Sequence, residues 1–240
     1  MDKLIFTAVS GAERTLRAQQ VHANNLANLE TAGFRANLEH QTSTALAGYG
    51  YDDRHLATSE ADTIATRAGA LRETGRALDV ALDSGYLAVQ WENGEAYTRA
   101  GTIDIDAEGA LSVHGRALLG EGGAIVLPPH TALEIGTDGT ISVQTEGATT
   151  MQVVDKLRLV NAEASELTKN EAGLLVARSG APLESDPSVR VRSRALEGSN
   201  VSAVEEMVAV MSLNRSFEIQ MKLFKASDSM NEAGNRLLGA

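Results

Sequence analysis

The sequence predicts an α+β chain, with two long terminal helices around an inserted, mainly antiparallel β domain. Three observations carry this. All four prolines and 19 of the 22 glycines fall in residues 31–200. The two ends carry apolar residues at helical spacing. The middle breaks into short apolar runs divided by turn residues.

Charge follows the same division. The 240 residues carry a formal net charge of −11, and residues 31–200 hold 24 acids and 14 bases, or −10 of it. Such a balance argues against a nucleic-acid binder, whose affinity comes from neutralising phosphates. No run approaches the roughly 18 apolar residues of a membrane span, so membrane insertion is not expected. The absence of cysteine excludes a disulfide scaffold, a thiol nucleophile and thiolate metal sites. Residues 1–10 lack the basic head, apolar run and small-residue cleavage site of a secretory signal, so none is expected to be removed.

The first helix is read from Ile5, Val9, Ala12, Leu16, Ala23 and Leu26, which recur at steps of three, four or seven. Asp2 could cap its start, and Thr31-Ala32-Gly33 reads as its stop, with Gly33 left-handed. The stripe is thin, and Asn24, Asn25 and Asn28 crowd one turn. Such a helix buries little by itself.

Residues 36–78 and 181–199 read as extended connector; 41–78 in particular is polar and aperiodic. Residues 79–180 read as an outer β domain. Short runs such as Leu78–Leu82, Tyr86–Val89, Ile125–Leu127 and Val153–Val160 alternate with turn pairs such as Asn93-Gly94 and Asp138-Gly139. Val189 to Arg194 alternates cleanly, with Arg190, Arg192 and Arg194 on one face. That face is either a solvated strand or a contact for a neighbouring acidic β domain.

The last helix opens on Ser202-Ala203-Val204-Glu205, which matches a capping box. A heptad seam follows through Met207, Val210, Asn214, Phe217, Met221 and Phe224, turning polar at Asp228. A second stripe, Val204, Val208 and Met211, implies more than one neighbour. A small β domain would not cover two long helices, and the exposed stripes favour a larger assembly over a lone globule.

No catalytic, metal or cofactor site emerges. Asp104, Asp106, Glu108 and Gly109 fall near the first positions of a calcium loop, but Gly115 stands where a bidentate glutamate is needed. The five histidines are scattered. There is no Gly-x-Ser-x-Gly elbow, and Gly120-Glu121-Gly122-Gly123 is not a phosphate loop. The chain is not expected to be an enzyme.

Two motifs carry a resemblance. Ala23-Asn24-Asn25-Leu26-Ala27-Asn28 with Thr31-Ala32-Gly33-Phe34-Arg35, and Leu196-Glu197-Gly198-Ser199-Asn200-Val201 leading to Glu205-Glu206-Met207, resemble the signatures of the bacterial flagellar rod and hook axial proteins. Leu78–Leu82, Gly85–Gln90 and Tyr97–Gly101 match as well, and 40–75 matches least clearly. Length and the opening Met1-Asp2-Lys3-Leu4-Ile5-Phe6 fit the proximal-rod members better than the distal-rod ones.

The resemblance implies a structural subunit of the basal-body rod in the periplasmic space, exported by the flagellar apparatus. Its terminal helices would polymerise, coiled-coil-like, into a tube with copies of itself and with proximal and distal rod subunits. Peptidoglycan contact by the β domain is the reading from another class. Carried over by residue, Ile5, Val9, Leu16, Asn24, Asn25, Leu26 and Asn28 would form the interface of the first helix. Met207, Val210, Asn214, Phe217, Met221 and Phe224 would form that of the last. Gly33, Gly198, Ser199, Asn200, Ser202 and Glu205 would shape the helix ends.

Overall fold

The computed structural model describes residues 2–45, 55–92 and 94–238. Helix α1 spans Asp2–Ala27 and helix α2 spans Ala203–Leu238, with β strands between them. The chain is therefore α+β, as its breaker distribution dictates. It divides into two compact units. One comprises residues 1–27, 37–62 and 202–240; the other comprises 28–36 and 63–201.

The first unit contains both helices and a two-stranded sheet built largely from Asn37–Ala45 and His55–Ile64. This sheet lies in the stretch expected as connector. Its strands are rich in threonine, serine and charged residues and lack an apolar alternation, so no periodicity betrayed them. The helices run antiparallel, since residues from 15 to 22 on α1 meet residues from 220 back to 206 on α2.

The second unit holds an aliphatic core. Val80, Leu87, Val89, Ile103, Leu111, Leu118, Ile125, Ile141 and Leu157 are all at most 1% exposed. A five-stranded antiparallel sheet runs in the order Leu159–Val160, Tyr86–Trp91, Gly94–Thr98, Leu175–Ala177, Leu167–Lys169. A meander of His130–Ile135, Thr140–Thr145 and Gln152–Lys156 packs Leu133, Ile135, Ile141, Val143 and Val154 into the same core. Its first turn is the Asp138-Gly139 hairpin read from sequence. Gly139 takes φ +85°, and the Asp138 carboxylate accepts the Thr140 hydroxyl at 2.7 Å and its N–H at 3.1 Å. Those bonds hold Asp138 below the usual carboxylate range. Asn93 of the other turn pair lies outside the described residues.

This unit extends beyond the expected 79–180. Leu71–Glu73 pairs with Ala195–Glu197, and Val80–Leu82 pairs with Val191–Ser193, so both flanks expected as connector are in sheets. The arginine alternation ends at Ser193. Arg194 turns to φ +60°, and its carbonyl accepts the N–H groups of Thr74 and Gly75, so it leaves the strand that carries Arg192.

Candidate functional site

The helix pair forms the first candidate surface. On α1 the less exposed positions include Ala8, Gly11, Thr15, Ala18, His22 and Asn25, a line spaced alternately three and four apart. On α2 they include Glu206, Val210, Leu213, Phe217, Gln220, Ser227 and Asn231, with the same alternation broken only at the exposed Phe224. The seam within the pair is therefore small and polar over much of its length. A Cβ on Gly11 would lie 3.2 Å from Gln220 Nε2, so glycine sets the close approach there. Gln220 Nε2 donates to Thr15 Oγ1 at 3.3 Å, and Gln19 Nε2 donates to Asn214 Oδ1 at 2.9 Å.

Glu206 closes the seam. One carboxylate oxygen lies 2.5 Å from His22 Nδ1, and the other accepts the Asn25 amide at 3.2 Å. Asn25, only 1% exposed, also receives the Asn37 N–H at 2.8 Å and donates back to the Asn37 carbonyl at 3.1 Å. The buried amide is thus satisfied on both its polar ends, as burial requires.

The apolar residues take other positions. Val204 is 73% exposed, Met207 52%, Val208 52%, Met211 56%, Ile219 58%, Leu223 52% and Met230 60%. On α1, Val9 and Leu16 are exposed and Leu26 is half-buried; for Ile5 only its place in the helix is described. Val210 and Phe217 are half-buried in the seam, whereas Met221 and Phe224 are exposed and Asn214 reaches across from an exposed position. One line of the expected heptad, 210 and 217, therefore lies in the seam within the chain. The other is displaced by one residue, from 207, 214 and 221 to 206, 213 and 220. Choosing the most apolar stripe selects the outward face, because the pair itself is held by amides, hydroxyls and a carboxylate.

The helix-end residues have distinct roles. Ser202 Oγ sits 3.5 Å from the Glu205 N–H and its carbonyl accepts the Glu206 N–H at 3.0 Å, so Ser202 starts α2. Gly33 does not end α1, which stops at Ala27; Asn28 instead begins a turn, its side chain accepting the Thr31 hydroxyl at 3.1 Å. Gly33 has φ +68°, and a Cβ there would lie 2.2 Å from the Arg99 carbonyl carbon. Its N–H donates to the Glu197 carbonyl at 2.8 Å.

That contact opens the second candidate surface, inside the second unit. Glu197, 2% exposed, accepts Arg99 Nε at 2.7 Å, Arg35 Nη2 at 2.8 Å and the Gly69 N–H at 2.8 Å. Arg99 spends its other nitrogens on the Gly85 and Leu82 carbonyls at 2.7 and 2.6 Å. Arg35 bonds the carbonyls of Thr66 and Arg67. Burial, and then the adjacent Arg99 guanidinium, lower Arg35 from its ordinary pKa.

Asn200 fastens the next residues. Its Oδ1 accepts the Ala36 N–H at 2.8 Å, its Nδ2 donates to the Arg67 carbonyl at 2.8 Å, and its own N–H reaches the Phe34 carbonyl at 3.2 Å. Gly69 and Gly198 permit this crossing, since a Cβ on Gly69 would lie 2.0 Å from the Gly198 oxygen. Ser199 Oγ accepts the Val201 N–H at 3.3 Å.

Lys169 completes the clamp, its ammonium 3.9 Å from the Phe34 ring centroid and 2.7 Å from the Arg35 carbonyl. Burial brings its pKa down to about 8. Sequence reasoning did not assign Arg35, Arg99 or Glu197 a role, although all three stood within the quoted motifs. No local pattern marks them, because tertiary approach brings them together.

The two motifs are thus each other's partners. Beside them a cleft of about 510 Å³ is lined by Tyr86, Arg99, Asn161, Glu163 and Ser165 among others, and the Ser165 hydroxyl lies 3.5 Å from the Glu163 carboxylate. Among the described residues no group of three or more histidines or carboxylates could hold a metal ion.

Known proteins match this sequence from end to end. Residues 5–35 match the family described as flagella basal body rod protein. Residues 83–143 match the flagellar hook protein FlgE/F/G D1 domain, and 192–237 match the flagellar basal body rod FlgEFG protein C-terminal family. The flagellar basal-body rod protein FlgF of Salmonella typhimurium is 40% identical over 99% of both chains, and that of Escherichia coli K12 is equally so. The flagellar basal-body rod protein FlgG of Buchnera aphidicola subsp. Acyrthosiphon pisum is 31% identical over 90% of this chain and 93% of its own. The chain belongs to the family of flagellar basal-body rod proteins, of the FlgF type.

Proposed function

We propose that the chain is a structural subunit of the proximal flagellar rod that polymerises through its terminal helices into the axial tube. The end-to-end 40% identity to FlgF proteins supports a rod subunit without catalytic work. One observation supports the helices as the joint. The seam inside the pair uses Gly11, Thr15, Ala18, Gln220 and Ser227, and leaves Val204, Val208, Ile219, Leu223 and the methionines of α2 facing outward.

Burial of that surface, at about 25 cal/mol per Å², is then supplied by neighbouring subunits. The packing there is coiled-coil-like, with Met207, Met221 and Phe224 of α2 and Ile5, Val9 and Leu16 of α1 at the contacts. Neighbours are further copies and the adjoining proximal and distal rod subunits, placed in the periplasmic space after passage through the flagellar export apparatus.

The test is complementation of a strain lacking its own proximal-rod subunit. The full chain restores complete basal bodies and swimming; a chain ending at residue 206 restores neither. Normal rods built from the truncated chain would sink the reading. Immunogold labelling of isolated basal bodies separates a proximal from a distal position.

A further inference from the structure

The second unit is electrically lopsided. Segments 67–76 and 190–194 hold six arginines and a single acid, Glu73, whereas residues 77–189 hold 17 acids and six bases. Strand pairing brings the two basic segments together. Arg72 stands opposite Leu196 and Arg192 opposite Ala81, and the Arg194 carbonyl takes the N–H groups of Thr74 and Gly75 at 2.9 and 3.2 Å. All six arginines are exposed.

Within the unit this belt is only partly neutralised. Arg76 bonds Asp79 and Asp104, and Arg190 bonds the Pro187 carbonyl. Arg72, Arg192 and Arg194 have no ion-pair partner among the described residues. Like charges gathered on adjoining strands repel one another, and here their own domain supplies no counter-charge on the spot. The complementary surface is nonetheless part of every molecule, in the acidic remainder of the unit.

We infer that the belt of Arg72, Arg192 and Arg194 docks on the acidic 77–189 surface of a second copy of this chain. The two surfaces differ, so the contact is head-to-tail and does not use itself up on one partner. It aligns neighbouring outer units through charge, separately from the apolar helices, and rests on the subunit reading because copies must first lie side by side. Oppositely charged exposed patches set orientation and encounter, and salt weakens them.

The experiment uses the full chain carrying Arg72→Lys and Arg192→Lys, which keep the charge and add amines. Copies grown with ordinary and heavy nitrogen are mixed at low salt and treated with a carbodiimide, which joins amines to carboxylates in contact. Met207→Cys, in a chain without native cysteine, reports helix contacts as a disulfide. Isotopically mixed peptides should join position 72 or 192 to carboxylates of 77–189, and their yield should fall about tenfold at high salt. Arg72→Glu with Arg192→Glu should lower inter-copy linking to native lysines as well. The belt is overturned if copies link through position 207 while positions 72 and 192 give no mixed peptide, or link only outside 77–189. If neither reporter links copies, the subunit reading fails and the belt with it.

Discussion

The Glu197 carboxylate accepts the Arg99 Nε–H at 2.7 Å, with both side chains about 5% exposed or less. This buried pair, joined by Arg35, fixes the segments that carry the two motifs against each other. Removing the shared acid leaves two guanidinium groups without a counter-ion. Glu197→Ala is expected to destabilise the second unit by about 3–5 kcal/mol. Urea titration followed by the fluorescence of Trp91, the single tryptophan, which packs on this core, measures it. A loss below about 1 kcal/mol would show that the carbonyls of Leu82, Gly85 and Thr66 suffice for the arginines.

Two glycines with similar backbones should respond differently. Gly33 and Gly75 both have positive φ, +68° and +75°, but a Cβ on Gly33 meets the Arg99 backbone whereas one on Gly75 meets nothing within 4 Å. Gly75→Ala is expected to cost about 1 kcal/mol from the left-handed conformation alone. Gly33→Ala adds a main-chain collision and is expected to cost more than about 2 kcal/mol. Equal melting temperatures for the two variants would contradict this.

Lys169 makes stability depend on alkaline pH. Folded, it loses its proton near pH 8; unfolded, at its ordinary 10.5. Its burial cost is therefore present in full below pH 8 and is relieved as pH rises toward 10.5. The span is at most about 3 kcal/mol, trimmed by the Phe34 ring and Arg35 carbonyl, which favour the ammonium. Comparing Lys169→Met with the parent by denaturant titration from pH 7 to 10.5 isolates it. The parent should gain stability on the variant through that window; parallel curves would refute the assignment.

The outward stripe of α2 should separate folding from assembly. Met207→Asp with Met211→Asp alters residues already more than half exposed. Stability of the isolated chain should move by no more than about 0.5 kcal/mol per site, while basal-body yield and swimming are lost. Circular dichroism melting and motility assays give the two readings. Retained swimming would remove these methionines from the joint.

Much of this architecture was legible in the chain. Breaker distribution located both helices, and Asp138-Gly139 located its hairpin, because these depend on local backbone chemistry. The strands at 37–45, 55–64 and 71–73 were not legible, since their sequences are mostly polar or very short and no alternation marks them. The line of the intrachain seam through Glu206 was not legible, because hydrophobicity ranks Met207 above it. The partnership of Arg35, Arg99 and Glu197 is set by tertiary approach across about 160 residues of sequence. Charge alone does not encode which buried arginine meets which acid.

Near the clamp the main chain touches itself with no side chain between. Gly33 lies on the Arg99 peptide, Gly69 on Gly198 and Gly101 on Val80, where a Cβ would come within 1.6 to 2.2 Å of the facing atoms. Bare peptide has no rotamers to yield. Segments 33–36 and 197–200 therefore have little swivel where they meet, and a twist reaching either one is borne by amide planes and guanidinium–carboxylate bonds. In a drive shaft, such a joint passes load on stiffly, and elastic give must be found in other parts of the molecule.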